Sequence, residues 1–217
     1  MIETGVYFGE THSYYDLNLI LSAVDIPPAP PKTNFVEVPG ADGSVDLTEA
    51  HGEVKFSDRE CSFTFTMLPT DSSTYEEKKT EVSNLLNGRM LKITLDKDDD
   101  YYYLGRCEVS NYESDRNIKQ IVITATVKPY KFKQNVTIMK FDLSDTPRAV
   151  SLVNSRKTVS PTIECTNDNT VIAFDGATFN LSAGTHKVLD IQLKEGNNAV
   201  TISGKGSVTF TYQEGAL

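Results

Sequence analysis

Residues 62–67 read Ser62-Phe63-Thr64-Phe65-Thr66-Met67, an unbroken apolar–polar alternation. Side chains on an extended chain point alternately to opposite faces, so Phe63, Phe65 and Met67 share one face and Thr64 and Thr66 the other. A helix would scatter the same residues around its circumference. The stretch therefore predicts a half-buried β-strand. Residues 118–127 (IKQIVITATV) repeat the pattern, with Ile121, Ile123, Ala125 and Val127 on one face. Residues 90–96 (MLKITLD), 199–202 and 207–212 do the same, the last two around Gly204 and Gly206, which predicts a hairpin.

One segment departs from this period. Residues 72–87 hold few β-branched side chains and place Tyr75, Val82, Leu85 and Leu86 on one side at helical spacing, with Glu76, Glu77, Lys78 and Lys79 elsewhere. Ser73 and Glu76 form a capping-box signature and Gly88 supplies the stop. One helix is expected, laid across the apolar face of a sheet. Two stretches predict exposed loops or arms. Residues 26–32 (IPPAPPK) must be extended, because each proline ring fixes φ and the residue before it avoids the helical region. Residues 38–48 (VPGADGSVDLT) are rich in Pro, Gly and Asp.

The 217 residues suffice for one large or two small domains. Composition shifts near residue 130, from acidic and Tyr-rich to Asn-, Thr- and Ser-rich with regular glycine turns. The boundary is expected between Pro129 and Val136, dividing the chain into 1–132 and 133–217. The second part has the size of a small β-sandwich. Residues 1–130 carry 12 basic and 22 acidic side chains, and 131–217 carry 9 and 8, so the net charge of -9 belongs to the first part. That excess argues against a nucleic-acid binder, whose affinity comes mainly from Lys and Arg on phosphates. No run approaches the ~20 apolar residues of a membrane span. Residues 1–10 have neither a basic nor an apolar leader region, so no secretory signal is expected there.

Catalytic motifs are missing. There is no G-x-S-x-G, no Walker loop, no dinucleotide G-x-G-x-x-G and no H-E-x-x-H. His12, His51 and His186 stand far apart and each is expected at the surface or half-buried. Asp96, Asp98, Asp99 and Asp100 fail the Ca²⁺-loop pattern, because Tyr101 and Cys107 occupy the positions that need Gly and Glu. They predict a solvated turn between two strands. Cys61, Cys107 and Cys165 show no metal spacing and are expected as buried free thiols. No cofactor, no metal and no enzymatic activity are expected. A carbohydrate-binding sandwich would want exposed aromatics after residue 130, yet Trp is absent from the chain and the only tyrosines there are Tyr130 and Tyr212.

The order of these segments resembles the distal tail protein family of long, non-contractile-tailed phages and Gram-positive prophages. Gly5-Val6-Tyr7-Phe8-Gly9 with His12-Ser13 and Asp16 is similar to the family's opening strand. Pro27-Pro28 through Lys32 is similar to its proline connection. Val38-Pro39-Gly40, Asp42-Gly43-Ser44 and Asp46-Leu47-Thr48 look like its most recognisable loop, with Ala41 where many members carry Arg. Asn87-Gly88, Leu91-Lys92-Ile93 and Leu104-Gly105-Arg106 follow in the family's order. Gly204 to Tyr212, closing on Glu214-Gly215, is similar to its final hairpin.

The resemblance implies a mainly β protein: a tail-tube-like barrel or sandwich with one helix, then a galectin-like β-sandwich. It implies a homohexameric ring at the virion tail tip, made in the bacterial cytoplasm. The ring would join the tail-tube protein to the baseplate hub and anchor receptor-binding proteins, while DNA passes through the lumen without specific binding. Segment 26–48 is the candidate inter-subunit arm, through Pro27, Pro28, Pro39, Gly40, Asp42, Gly43 and Asp46. Three other readings stay open at this point: another tube or baseplate subunit, a wall-carbohydrate binder, and an enzyme acting on cell-wall polymer.

Overall fold

The computed structural model describes residues 4–50, 52–67, 75–114 and 119–217. The chain is mainly β and divides into two units, Met1–Lys131 and Phe132–Leu217.

In the first unit the strands are β1 (Val6–Phe8), β2 (Thr11–His12), β3 (Leu19–Asp25), β4 (Phe35–Glu37), β5 (Ser44–Asp46) and β6 (Arg59–Met67). Helix α1 (Tyr75–Leu86) follows, then β7 (Met90–Leu95), β8 (Tyr101–Ser114) and β9 (Lys119–Val127). Seven of these strands form one antiparallel sheet in the order β2-β1-β7-β8-β9-β6-β3. The alternating stretches lie at its centre. β6 pairs with β9 so that Phe63 faces Ile123 and Phe65 faces Ile121. All four are fully buried, with Val6, Phe8, Leu19, Cys61, Ile93 and Cys107 around them. Ser62, Thr64 and Thr66 lie on the other face, half exposed, as the alternation requires.

Helix α1 buries Tyr75, Lys78, Val82 and Leu86, which share one face at three- and four-residue spacing. The sequence placed Lys78 away from this face, but the structure buries it. Its aliphatic stem covers apolar surface while its ammonium reaches Glu81 one turn on. Leu85 is half-buried. The helix ends before Gly88, whose N–H donates to the Cys107 carbonyl at 2.8 Å. Ser73 of the capping box, Ile118 and His51 lie outside the described residues.

The second unit contains β10 (Lys131–Lys133, which begins on the last residue of the first unit), β11 (Thr137–Asp142), β12 (Arg148–Asn154), β13 (Thr162–Cys165), β14 (Thr170–Phe174) and β15 (Ala177–Leu181). It ends with β16 (Gly184–Lys187), β17 (Gly196–Ser203), β18 (Ser207–Tyr212) and β19 (Gly215–Ala216). Two four-stranded sheets, β11-β18-β13-β16 and β12-β17-β14-β15, share a core of Leu152, Ile163, Ile172, Ile191, Val200, Ile202, Val208 and Phe210. The hairpin expected around Gly204 and Gly206 is not formed. β17 and β18 belong to different sheets, and residues 204–206 carry the chain across the sandwich. Their inward residues face each other through the core instead of pairing by backbone. Gly204 permits the crossing: its φ is +131°, and a Cβ there would lie 3.0 Å from the Asn169 carbonyl.

Glu214, just before β19, is the charged group this unit buries most completely around an ion pair, its side chain 7% exposed. It accepts hydrogen bonds from Lys133 Nζ at 2.6 Å, Ser155 Oγ at 2.6 Å and Thr137 Oγ1 at 2.5 Å. Burial alone would raise its pKa. The three donors, with the charge of Lys133, outweigh that and hold it below the ordinary 4.5. A carboxylate with a depressed folded-state pKa stabilises the fold above its unfolded value and loses that contribution as pH falls through the folded one. Glu214→Gln should therefore be less stable than the parent at neutral pH. In urea titrations across pH the gap should narrow only below about 4.5; a gap independent of pH would show that the charge contributes nothing.

Candidate interaction arm

The candidate residues fall on one projecting element with a root and a tip. At the root, residues 26–32 run extended beside 55–57. Ser57 N–H donates to Pro30 O at 2.9 Å, Lys32 N–H to Lys55 O at 2.7 Å, and Pro31 bridges Phe56. Phe56 packs edge-on against Tyr130. The prolines force this line to be straight and remove donors that would otherwise need partners. Pro27 is fixed by a side chain that sequence reasoning passed over. Arg59, 7% exposed, donates from Nη1 to Pro27 O at 2.8 Å, with its guanidinium 5.4 Å above the Tyr103 ring. Pro28 is exposed beside it and Ala29 is buried.

Beyond the root, β4 and β5 form a separate two-stranded hairpin. Its register pairs Phe35 with Asp46, Val36 with Val45 and Glu37 with Ser44. The expected open loop over 38–48 is thus half of a hairpin. Pro39, Gly40, Asp42 and Gly43 make its tip, where Gly40 (φ +82°) and Gly43 (φ +75°) take the left-handed conformation that the turn demands. Asp46 Oδ1 accepts the Thr48 N–H at 2.9 Å, and bonds from the Thr48 side chain and backbone lower its pKa. Leu47 N–H to Asn34 O and Asn34 N–H to Thr48 Oγ1 close the base.

The arm exposes what a folded chain normally hides. Phe35 is 59% exposed, and Val36, Val38, Val45 and Leu47 are also open to solvent. Between residues 33 and 50 the charges are Glu37, Asp42, Asp46 and Glu49, with no Lys, Arg or His. An isolated two-stranded hairpin is marginal in water, and a contiguous apolar surface rimmed by polar groups marks an interaction site. The arrangement can bind; it has no chemistry to catalyse. Among the described residues no group of three or more His, Cys, Asp or Glu side chains is placed to hold a metal ion. Cys61, Cys107 and Cys165 are all buried free thiols, and burial pushes the first two up to about 11.

A second feature corrects the sequence reading. His12 was expected at the surface or half-buried, yet it is 2% exposed. Its Nδ1 accepts the N–H groups of Tyr14 (3.2 Å) and Tyr15 (3.1 Å), which leaves the ring proton on Nε2 to donate to Asp96 Oδ2 at 3.1 Å. The same carboxylate oxygen accepts Gly5 N–H at 2.6 Å. The acidic turn between β7 and β8 is therefore only partly solvated. Asp96 clamps the opening strand, and Asp98 pairs with Lys131 at 2.6 Å. The partners are 84 residues apart, and no local signal connects them.

With this geometry in view, the comparisons define the class of protein. Residues 8–144 match the phage tail protein RIFT-related domain family, and the chain belongs to that family. Its fold is similar to the crystal structure of the Dit protein of phage SPP1, described there as a paradigm of the hub adsorption apparatus in phages infecting Gram-positive bacteria. That match has a TM-score of 0.68 at 15% identity and covers 97% of this chain and 98% of the other. The structure of the phage p2 baseplate in its activated conformation matches more weakly, at a TM-score of 0.42 and 8% identity over 97% and 98% of the two chains. No curated protein sequence matches the chain.

The clamp gives a direct test. Asp96→Ala leaves both Gly5 N–H and His12 Nε2 without a partner in a largely buried site, which costs about 2–4 kcal/mol. Thermal denaturation should show a clear drop for Asp96→Ala and an unchanged midpoint for Asp99→Ala, three residues along in the same acidic run.

Proposed function

We propose that this phage tail protein is a distal tail ring subunit. Six copies form a ring between the last tail-tube ring and the baseplate hub, and the ring anchors receptor-binding proteins at the tail tip. Its role is structural, with no catalytic site and no cofactor. Family membership and the whole-length likeness to SPP1 Dit support the class. The observation that carries the assembly reading is the arm: an apolar, purely acidic hairpin held out on a pinned root. Its size and exposure suit a head-to-tail contact, in which one patch meets a different patch on the next subunit. The proline pair Pro27-Pro28 sets the direction, and Pro39, Gly40, Asp42, Gly43 and Asp46 shape the contacting end. DNA crosses such a ring without adhering, because a strongly acidic assembly offers phosphate no counterion-release gain.

Nothing in the second unit favours the carbohydrate-binding reading. Phe132, Phe141, Phe174 and Phe179 are half-buried and Phe210 and Tyr212 buried, so no exposed ring offers a sugar a stacking platform. This unit is the galectin-like sandwich of the proposed ring's outer side.

Deleting residues 38–48 removes the tip and leaves both cores untouched. The shortened protein should keep the parent's circular dichroism and melting profile, while light scattering and negative-stain images show rings of six for the parent and single subunits for the deletion. Rings that survive the deletion would refute the arm's role in assembly.

A further inference from the structure

The first unit carries a second surface that complements the arm. The C-terminal end of α1 and strands β7, β8 and β9 frame an open groove of about 500 Å³. Met90, 46% exposed, supplies its apolar floor, with Asn87, Gly88, Arg106, Thr126 and Lys128 around it. Arg89 stands next to Met90 in the chain. The two arginines bond to backbone carbonyls at the helix end: Arg106 Nη1 to Gly88 O at 2.6 Å and Arg89 Nη2 to Asn84 O at 3.2 Å. Among the described residues neither forms an ion pair. Lys128 is paired with Asp58 at 3.0 Å, and both are half exposed. Glu108 is the other acid on the lining.

We infer that this groove receives the β4–β5 arm of a second copy of the same chain. The inference rests on reading the arm as an inter-subunit element and names the surface it meets. The arm presents Phe35, Val36 and Val45 with Glu37, Asp42, Asp46 and Glu49 and no base. The groove presents an exposed methionine between arginines that have no carboxylate partner. Apolar anchor meets apolar floor, and an acidic rim meets a basic one, which favours this pairing over like-charged alternatives. The arm does not occupy its own chain's groove, because the whole of 30–47 is exposed to solvent. Arm and groove are different patches, so the contact is head-to-tail and propagates from each copy to the next.

Photo-cross-linking between isotopically distinct copies tests this. One chain carries p-benzoylphenylalanine at position 35, and the other is ¹⁵N-labelled and otherwise wild type. The expected products join position 35 of the probe chain to residues 87–90 or 106–108 of the labelled chain. Arg106→Glu in the labelled chain should lower the yield about tenfold, and Glu37→Lys in the probe chain should restore most of it. Lys128→Glu, on the rim and outside the Gly88 turn, is the second acceptor variant should Arg106→Glu fail to fold. Cross-links to another surface of the second copy would overturn the groove assignment and leave the arm reading standing. No intermolecular cross-link at all would overturn both.

Discussion

The register of β6 against β9 is the constraint on which the first unit depends. Side chains alternate with a period of two, so a slip of one residue would turn Phe63, Phe65, Ile121 and Ile123 out of the core. The same register decides something the core does not need. Arg59 is the first residue of β6 and lies on the inward face with Cys61, Phe63 and Phe65. It is carried inward at the sheet's end, where the desolvated guanidinium finds the Pro27 carbonyl and the Tyr103 ring. Pairing in the sheet thus fixes Arg59, Arg59 fixes the proline line, and the proline line sets where the hairpin projects.

This coupling gives a small hairpin a rigid seat. Two strands alone gain too little from burial to offset the entropy of ordering their residues. Here the root contributes fixed prolines, backbone pairing with 55–57 and a buried arginine, so little order is left to lose when the tip meets a partner. Preorganisation of this kind strengthens association by reducing what must be ordered on binding. An exposed Phe35 flanked by valines would be a liability on a solitary protein. It is intelligible on one built to meet a neighbour, and the acids around it keep the free arm soluble.

The parts legible in sequence were those with local causes. Alternation named the central strands and their inward faces. Helical spacing named α1, glycine its end, and four aspartates the turn between β7 and β8. What escaped involved distant partners. Lys78 looked like a solvent residue because charge was taken as a sign of exposure, yet its stem lies on the helix's buried line. Residues 199–212 looked like a hairpin because two alternating runs flank glycines, yet the chain crosses between sheets there. Alternation reports which side chains face inward; it does not say which strand is the neighbour. His12 and Asp96, 84 residues apart, carry no mark of their pairing.

By itself the sequence determined the class: a mainly β chain of two compositions, one helix, an extended proline segment with an acidic, glycine-turned tip, and an order of motifs resembling one phage tail family. These follow from period, backbone restriction and charge, which act over a few residues and need no fold to be read. Only the tertiary structure decided that the tip is a hairpin standing clear of the sheet, that Arg59 roots it, that Asp96 clamps the opening strand through His12, and that a groove with basic, apolar lining sits at the end of α1. Each joins residues tens of positions apart. Such contacts are selected by the packing of the whole domain, where burial and hydrogen-bond satisfaction are settled together.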